Sequence, residues 1–183
     1  MALREVLQFP DPRLKRKSEP ITEVTDALRS LASDMCEVMY DEPGIGLAAP
    51  QVGEAVRLIV IDTEWTEDER GQNPLVVVNP ELSAPEGTIT WDESCLSVPD
   101  YQAQVERAAS ITLRGHGLDG SPIEERATDL RAVCFQHEVD HLDGVLFIDR
   151  ISRLKRTMYA KKRKKQLRYE EEEDGPSRSG NTL

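Results

Sequence analysis

The chain has 183 residues, a net charge of −11, 38% apolar and 31% charged residues, which suits one soluble globular domain with its own core. No stretch approaches the roughly 18 consecutive apolar residues that a membrane helix needs. Residues 1–17 carry neither a long apolar run nor a small-residue cleavage site, so no signal peptide is expected and the location is read as cytoplasmic.

Pro10, Pro12 and Pro20 make the first segment irregular. Over 25–40, Leu28, Leu31, Met35 and Val38 recur at helical spacing and predict an amphipathic helix that includes Cys36 as a packing residue. Pro43 and Gly44 then force a loop. Residues 57–62 (RLIVID) and 75–79 (LVVVN) are short, branched and apolar, and predict strands. The polar insert 63–74 reads as a surface loop. Residues 104–106 and 110–114 are weaker strand candidates, and 122–126 completes a hairpin across a Gly-rich turn that exposes His116. Thr128 or Asp129 caps a helix that runs to about Asp143, with Gly144 ending it. A last helix is expected over 152–168. Strands and helices do not alternate regularly, so the predicted class is α+β. The three cysteines are odd in number and sparse, which argues against a disulfide framework and leaves each thiol to be explained by itself.

The sharpest signal is His137-Glu138-Val139-Asp140-His141, an H-E-x-x-H string on a predicted helix. Positions four apart share a helix face, so two imidazoles can reach one divalent ion. Glu138 stands beside them, placed to take a proton from an attacking water. This helix is apolar nearly all round, as befits a buried element. Buried imidazoles and a buried carboxylate need a pairing partner or a metal. Asp140 is expected either to pair with a base such as Arg107 or to face solvent. A catalytic site usually has three protein ligands, and nothing downstream of His141 offers a third at a familiar spacing.

Two further strings bear on this. Residues 44–51 read GIGLAAPQ, which matches a G-x-G-x-x-A dinucleotide pattern but lacks the strand before and the helix after that such a loop requires. Residues 93–97 read ESCLS. A lone cysteine such as Cys95 is ordinarily a core residue; as a thiolate it is also a soft metal donor.

Together, GIGLAAPQ, ESCLS and QHEVDH resemble, in that order, the three motifs of the peptide deformylase family. The flanks FPDPRL, RLIVID, VVNPEL and HLDGVLFIDR share the resemblance, which spans about 1–160. It implies antiparallel sheets around a central helix bearing the two histidines. It also implies metal-dependent hydrolysis of the formyl group from the N-terminal formyl-methionine of nascent polypeptides. Cys95, His137 and His141 would hold one Fe²⁺ per chain, exchangeable for Zn²⁺ or Ni²⁺. Glu138 would be the general base and acid. The Gln51 amide and the Leu96 backbone N–H would form the oxyanion hole. Gly46 would meet the substrate backbone, and Ile45, Trp91, Leu130, Val133 and Cys134 would shape the methionine pocket. Two positions depart from the family pattern: Ser94 replaces a glycine beside the pocket, and Tyr101-Gln102 stand where an arginine is usual.

Residues 1–149 hold 12 basic and 29 acidic residues, a net −17, whereas 150–183 hold 11 and 5, a net +6. An acidic body with a basic appendage is therefore expected. The domain reading is one catalytic unit, 1–168, whose segment 152–168 is a basic C-terminal helix, followed by a disordered tail, 169–183. The basic helix suits weak docking on the ribosome near its exit tunnel; membranes and sequence-specific nucleic acid are not expected partners. The competing readings are a generic zinc metalloprotease, which leaves GIGLAAPQ and ESCLS without a role, and a non-catalytic metal-binding or ribosome-associated relative.

Overall fold

A computed structural model describes residues 4–65 and 72–174. In chain order its elements are α1 (Asp26–Asp41), β1 (Gly46–Ala48), β2 (Leu58–Ile61), β3 (Leu75–Glu86), β4 (Ile89–Cys95), β5 (Val98–Arg107), β6 (Ser110–His116), β7 (Pro122–Thr128), α2 (Asp129–Leu142) and α3 (Arg153–Asp174). Five strands form an antiparallel sheet in the order β1-β2-β3-β6-β7, and β4 and β5 form a separate hairpin. This is the expected α+β architecture, and α2 is its central helix.

Strand alternation sorts the core into two layers. Successive side chains of a strand face opposite sides. On β2, Leu58 and Val60 pack with Leu31, Met35 and Met39 of α1, whereas Ile59 and Ile61 pack with Ala132 and Phe135 of α2. Val78 and Val77 of β3 divide in the same way. The strand is buried on both faces, which is why RLIVID is a continuous apolar run rather than an alternating one. A third cluster joins Val98 and Val105 of β5 to Leu14, Phe147, Ile148 and Tyr159, which seats α3 against the hairpin.

Local chemistry sets the element ends. Thr25 Oγ1 accepts from the Leu28 N–H and caps α1. Thr128 occupies the N-cap position of α2, but its side chain makes no cap hydrogen bond, so the expected capping interaction is absent there. Gly144 ends that helix at φ +73°, and a Cβ there would strike the Lys15 carbonyl.

Several strands are longer than the sequence suggests. β3 runs on to Glu86 through Pro80 and Pro85 because its register shifts beside each proline, with Asn79 and Ala84 at positive φ. Proline is tolerated in a strand at such bulges. β1 and β4 were not anticipated: the first is three residues of the Gly-rich string, and the second alternates with polar residues. The last helix passes the expected end at Arg168 and runs to Asp174, so 169–174 is helical rather than tail; the remaining 175–183 lies outside the described residues. Among the described residues, no helix is long and apolar enough to cross a membrane.

Candidate active site

Helix α2 carries His137 and His141 one turn apart, with their Nε2 atoms 3.2 Å from each other. The end of β4 brings Cys95 to the same point, its Sγ 3.3 Å from His141 Nε2. The donor atoms of all three lie within 4.8 Å of one another, and they form the one such group among the described residues. One thiol and two imidazole nitrogens, converging at this range, fit a tetrahedral divalent ion with a position to spare. Burial holds His141 well below its ordinary pKa, assisted by His137 and Arg107, and so keeps a neutral ring with a free lone pair. His137 shows the opposite balance: burial lowers it, but its hydrogen bonds to Cys95 and Glu93 more than offset this.

The ring of His137 is held from behind. Its Nδ1 lies 2.8 Å from Glu93 Oε2, and Arg107 donates to both Glu93 oxygens at 2.6 and 2.9 Å. Arg107 also donates to Asp140 Oδ2 at 2.6 Å, and Arg150 bonds both Asp140 oxygens. The pairing of Asp140 with Arg107 is thus the one of its two expected roles that forms. Burial would raise the Glu93 carboxyl, but Arg107 and His137 outweigh it and bring it down to about 2, an ionised partner that orients the imidazole. Glu93 was not singled out from the sequence. The signal was present: a ligand histidine needs an outer partner, and an acidic residue opens the ESCLS string.

Glu138 is 4% exposed, and its Oε2 has no hydrogen-bond partner. Burial raises its carboxyl to about 7, chiefly by desolvation. It faces a cavity of about 750 Å³. Gly46 borders the carboxylate so closely that a Cβ would meet Glu138 Oε1 and, at 3.0 Å, Cys134 Sγ.

Gln51 sits in a short 3₁₀ turn, Ala49–Val52, in which Pro50 occupies the first turn, where it needs no donor. The Gln51 Oε1 accepts from the Ala48 N–H at 2.9 Å, so the amide nitrogen points the other way, 3.1 Å from Ser97 Oγ and 3.6 Å from Cys95 Sγ. This strand-then-turn geometry, without a following α-helix, also disposes of the dinucleotide alternative.

Ile45, Gly46, Trp91, Ser94, Leu96, Leu130, Val133 and Cys134 all line the same cavity as Gln51, Cys95, His137 and Glu138. His141 is buried beneath it. Desolvation drives the Cys134 thiol well above its ordinary value and keeps it protonated, a wall residue rather than a ligand. Ser94 is exposed at the rim, and Tyr101 and Gln102 line the mouth. His116 is exposed at the end of β6 and Cys36 is half-buried against the α1 core, both as expected.

Comparison with known proteins agrees with this geometry. The family model described as Polypeptide deformylase matches residues 3–157. The peptide deformylase of Syntrophobacter fumaroxidans is 45% identical over 168 residues, covering 92% of this chain and 98% of that one. That of Rhizorhabdus wittichii is 51% identical over 172 residues, covering 92% and 97%. The crystal structure of a peptide deformylase from Legionella pneumophila superposes with a TM-score of 0.84 at 39% identity, over 96% of this chain and all of that chain.

Proposed function

The chain belongs to the polypeptide deformylase family, and from that membership we propose how its own residues divide the work of removing formyl from N-terminal formyl-methionine. The enzyme is a hydrolase that acts on nascent polypeptides, releasing formate and a free methionine amine. The observation that carries the assignment of roles is local: a thiol and two imidazoles converge beside a buried carboxylate, one of whose oxygens is buried without a partner.

In this reading Cys95, His137 and His141 hold one Fe²⁺ per chain, which Zn²⁺ or Ni²⁺ can replace. Bound there, the ion supplies Lewis acidity, making water more acidic and polarising a carbonyl. Glu138 takes the proton of the attacking water on its carboxylate. The hydroxyl joins the formyl carbon, the C–N bond breaks, and Glu138 returns the proton to the methionine nitrogen. Its raised pKa suits a group that must both accept and give a proton near neutrality. The Gln51 Nε2, aimed by Ala48, and the Leu96 N–H donate to the formyl oxygen as charge grows on it; losing one such donor typically costs about 10²–10³ in rate.

Gly46 leaves room for the substrate backbone. Ile45, Trp91, Leu130, Val133 and Cys134 receive the methionine side chain, and Ser94 narrows the rim beside them. Residues 1–168 act as one catalytic unit in the cytoplasm, where the basic face of α3 holds the enzyme weakly on the ribosome near the emerging chain. A protease reading has no support in this arrangement, because the third donor is the ESCLS thiol rather than a residue downstream of His141.

Substituting Glu138→Ala tests the scheme. Metal content should be unchanged, while turnover of formyl-methionyl peptides falls by several orders of magnitude. Retained turnover would remove Glu138 as the proton carrier.

A further inference from the structure

Gln8, in the N-terminal segment, lines the cavity mouth. On its other side stands Arg163, in the middle of α3 and 155 residues away in sequence. Arg163 is 6% exposed, an unusual degree of burial for a group that carries a permanent charge. Its Nη2 donates to Gln8 Oε1 at 2.8 Å, its Nε to the Phe9 carbonyl at 3.4 Å, and its Nη1 to Glu170 at 3.5 Å. An arginine only donates, so it can engage only the oxygen of the Gln8 amide. That contact fixes which way the amide faces. The NH₂ group has no partner among the described residues and stays free on an exposed side chain that lines the cavity. Gln51 is oriented by the same device, with the Ala48 N–H in the part of Arg163.

The rest of α3 supports that side of the mouth. The Tyr159 hydroxyl donates to the Pro99 carbonyl at 3.2 Å, and its ring lies 4.7 Å from that of Tyr101; both Pro99 and Tyr101 line the cavity.

We propose that Gln8 is a substrate-binding donor whose amide N–H, aimed by Arg163, bonds a backbone carbonyl of the peptide downstream of formyl-methionine. Arg163 is its positioning residue and touches no substrate. This rests on the reading of the cavity as the peptide groove. It also gives α3 a task inside the catalytic unit, in addition to its basic outer face.

Steady-state kinetics with formyl-Met-Ala-Ser and with formyl-Met test it. Gln8→Glu keeps an oxygen for Arg163, so the packing survives, but replaces the donor facing the cavity with an acceptor. KM for formyl-Met-Ala-Ser should rise about 3- to 10-fold, the worth of one hydrogen bond, and by clearly more than for formyl-Met. Arg163→Leu should produce a similar rise, and the double variant no more than either alone, because the two residues act through one contact. A purely structural role predicts instead that Gln8→Glu has the parent KM, or that Arg163→Leu lowers Tm without altering KM. Either result overturns the proposal. Failure of the parent enzyme to release formate from both substrates would refute the functional reading itself.

Discussion

Gly46 has no room for a side chain, and the reason is chemical as well as steric. The nearest atoms to its missing Cβ are the carboxylate of Glu138 and the sulfur of Cys134. An alanine there has to push the proton carrier aside or pull β1 away from α2. Displacements of about 1 Å at a reacting group can cost on the order of 10² in rate. Gly46→Ala is therefore expected to lower kcat about 100-fold, with metal content unchanged because none of the three donors is touched. A parent-like kcat would mean that Glu138 needs no fixed position. At this scale the sequence was most informative. The histidine pair at helical spacing with a glutamate between them marked a metal site as a candidate, and its combination with GIGLAAPQ and ESCLS made the reading specific. Glu93 was missed although an acidic residue opens the ESCLS string, because which histidine it serves is set only when β4 lies across α2 and its carboxylate meets His137 Nδ1.

The elements hold the site through a few polar ties at their ends, and Asp62 shows how such a tie responds to pH. It follows β2 and accepts from the Tyr40 hydroxyl at 2.7 Å, the Asn73 N–H at 2.9 Å, the Trp65 N–H at 3.1 Å and the Glu64 N–H at 3.3 Å. These contacts close the ends of the 63–74 segment onto β2 and α1. Burial would raise the carboxyl, but the donors prevail and lower it below its ordinary 3.8. A carboxyl depressed in the folded state stabilises the fold above its unfolded pKa, and that contribution is lost as pH falls through the lower folded value. Asp62→Asn should therefore cost about 1–3 kcal/mol near neutrality. The difference from the parent should begin to shrink as pH drops below about 3.8 and vanish only below the lower folded value, where the parent's carboxyl is also neutral. Thermal melts across pH check this; a gap that stays constant down to pH 2 would contradict it. The limits of the sequence reading are also clear at this scale. Apolar runs such as RLIVID located β2 because both of its faces are buried. β4 was invisible because its outward residues are Thr90, Asp92 and Ser94, and β3 was cut short because a proline reads as a strand end unless a bulge is known to accommodate it. The reach of Arg163 to Gln8 spans nearly the whole chain, and no local pattern encodes it.

Over the whole molecule, charge and chemistry are segregated. The site lies between sheet, hairpin and α2, while the positive residues crowd onto α3, whose Lys161, Lys162 and Lys164 are exposed. If that face docks on ribosomal RNA, Lys161→Glu with Lys162→Glu and Lys164→Glu should weaken sedimentation with ribosomes at low salt and flatten its salt dependence. Equal binding by the triple variant would remove the docking idea and leave α3 only its inward contacts. The fold class was legible at this scale because strands and helices do not alternate regularly along the chain, as the element order bears out. The end of α3 was misjudged because the acidic run 170–174 looked like a tail, although the helix continues through it and Glu170 pairs with Arg163.

X-ray absorption spectroscopy of the anaerobically purified protein examines the ligand set most directly. The predicted spectrum is that of one iron per chain with a single sulfur and two imidazole nitrogens in its inner shell. After exchange to zinc, the sulfur should lie at about 2.3 Å and the nitrogens at about 2.0–2.1 Å. An inner shell without sulfur, or with only one imidazole, would contradict the assignment of Cys95, His137 and His141 as the ligands.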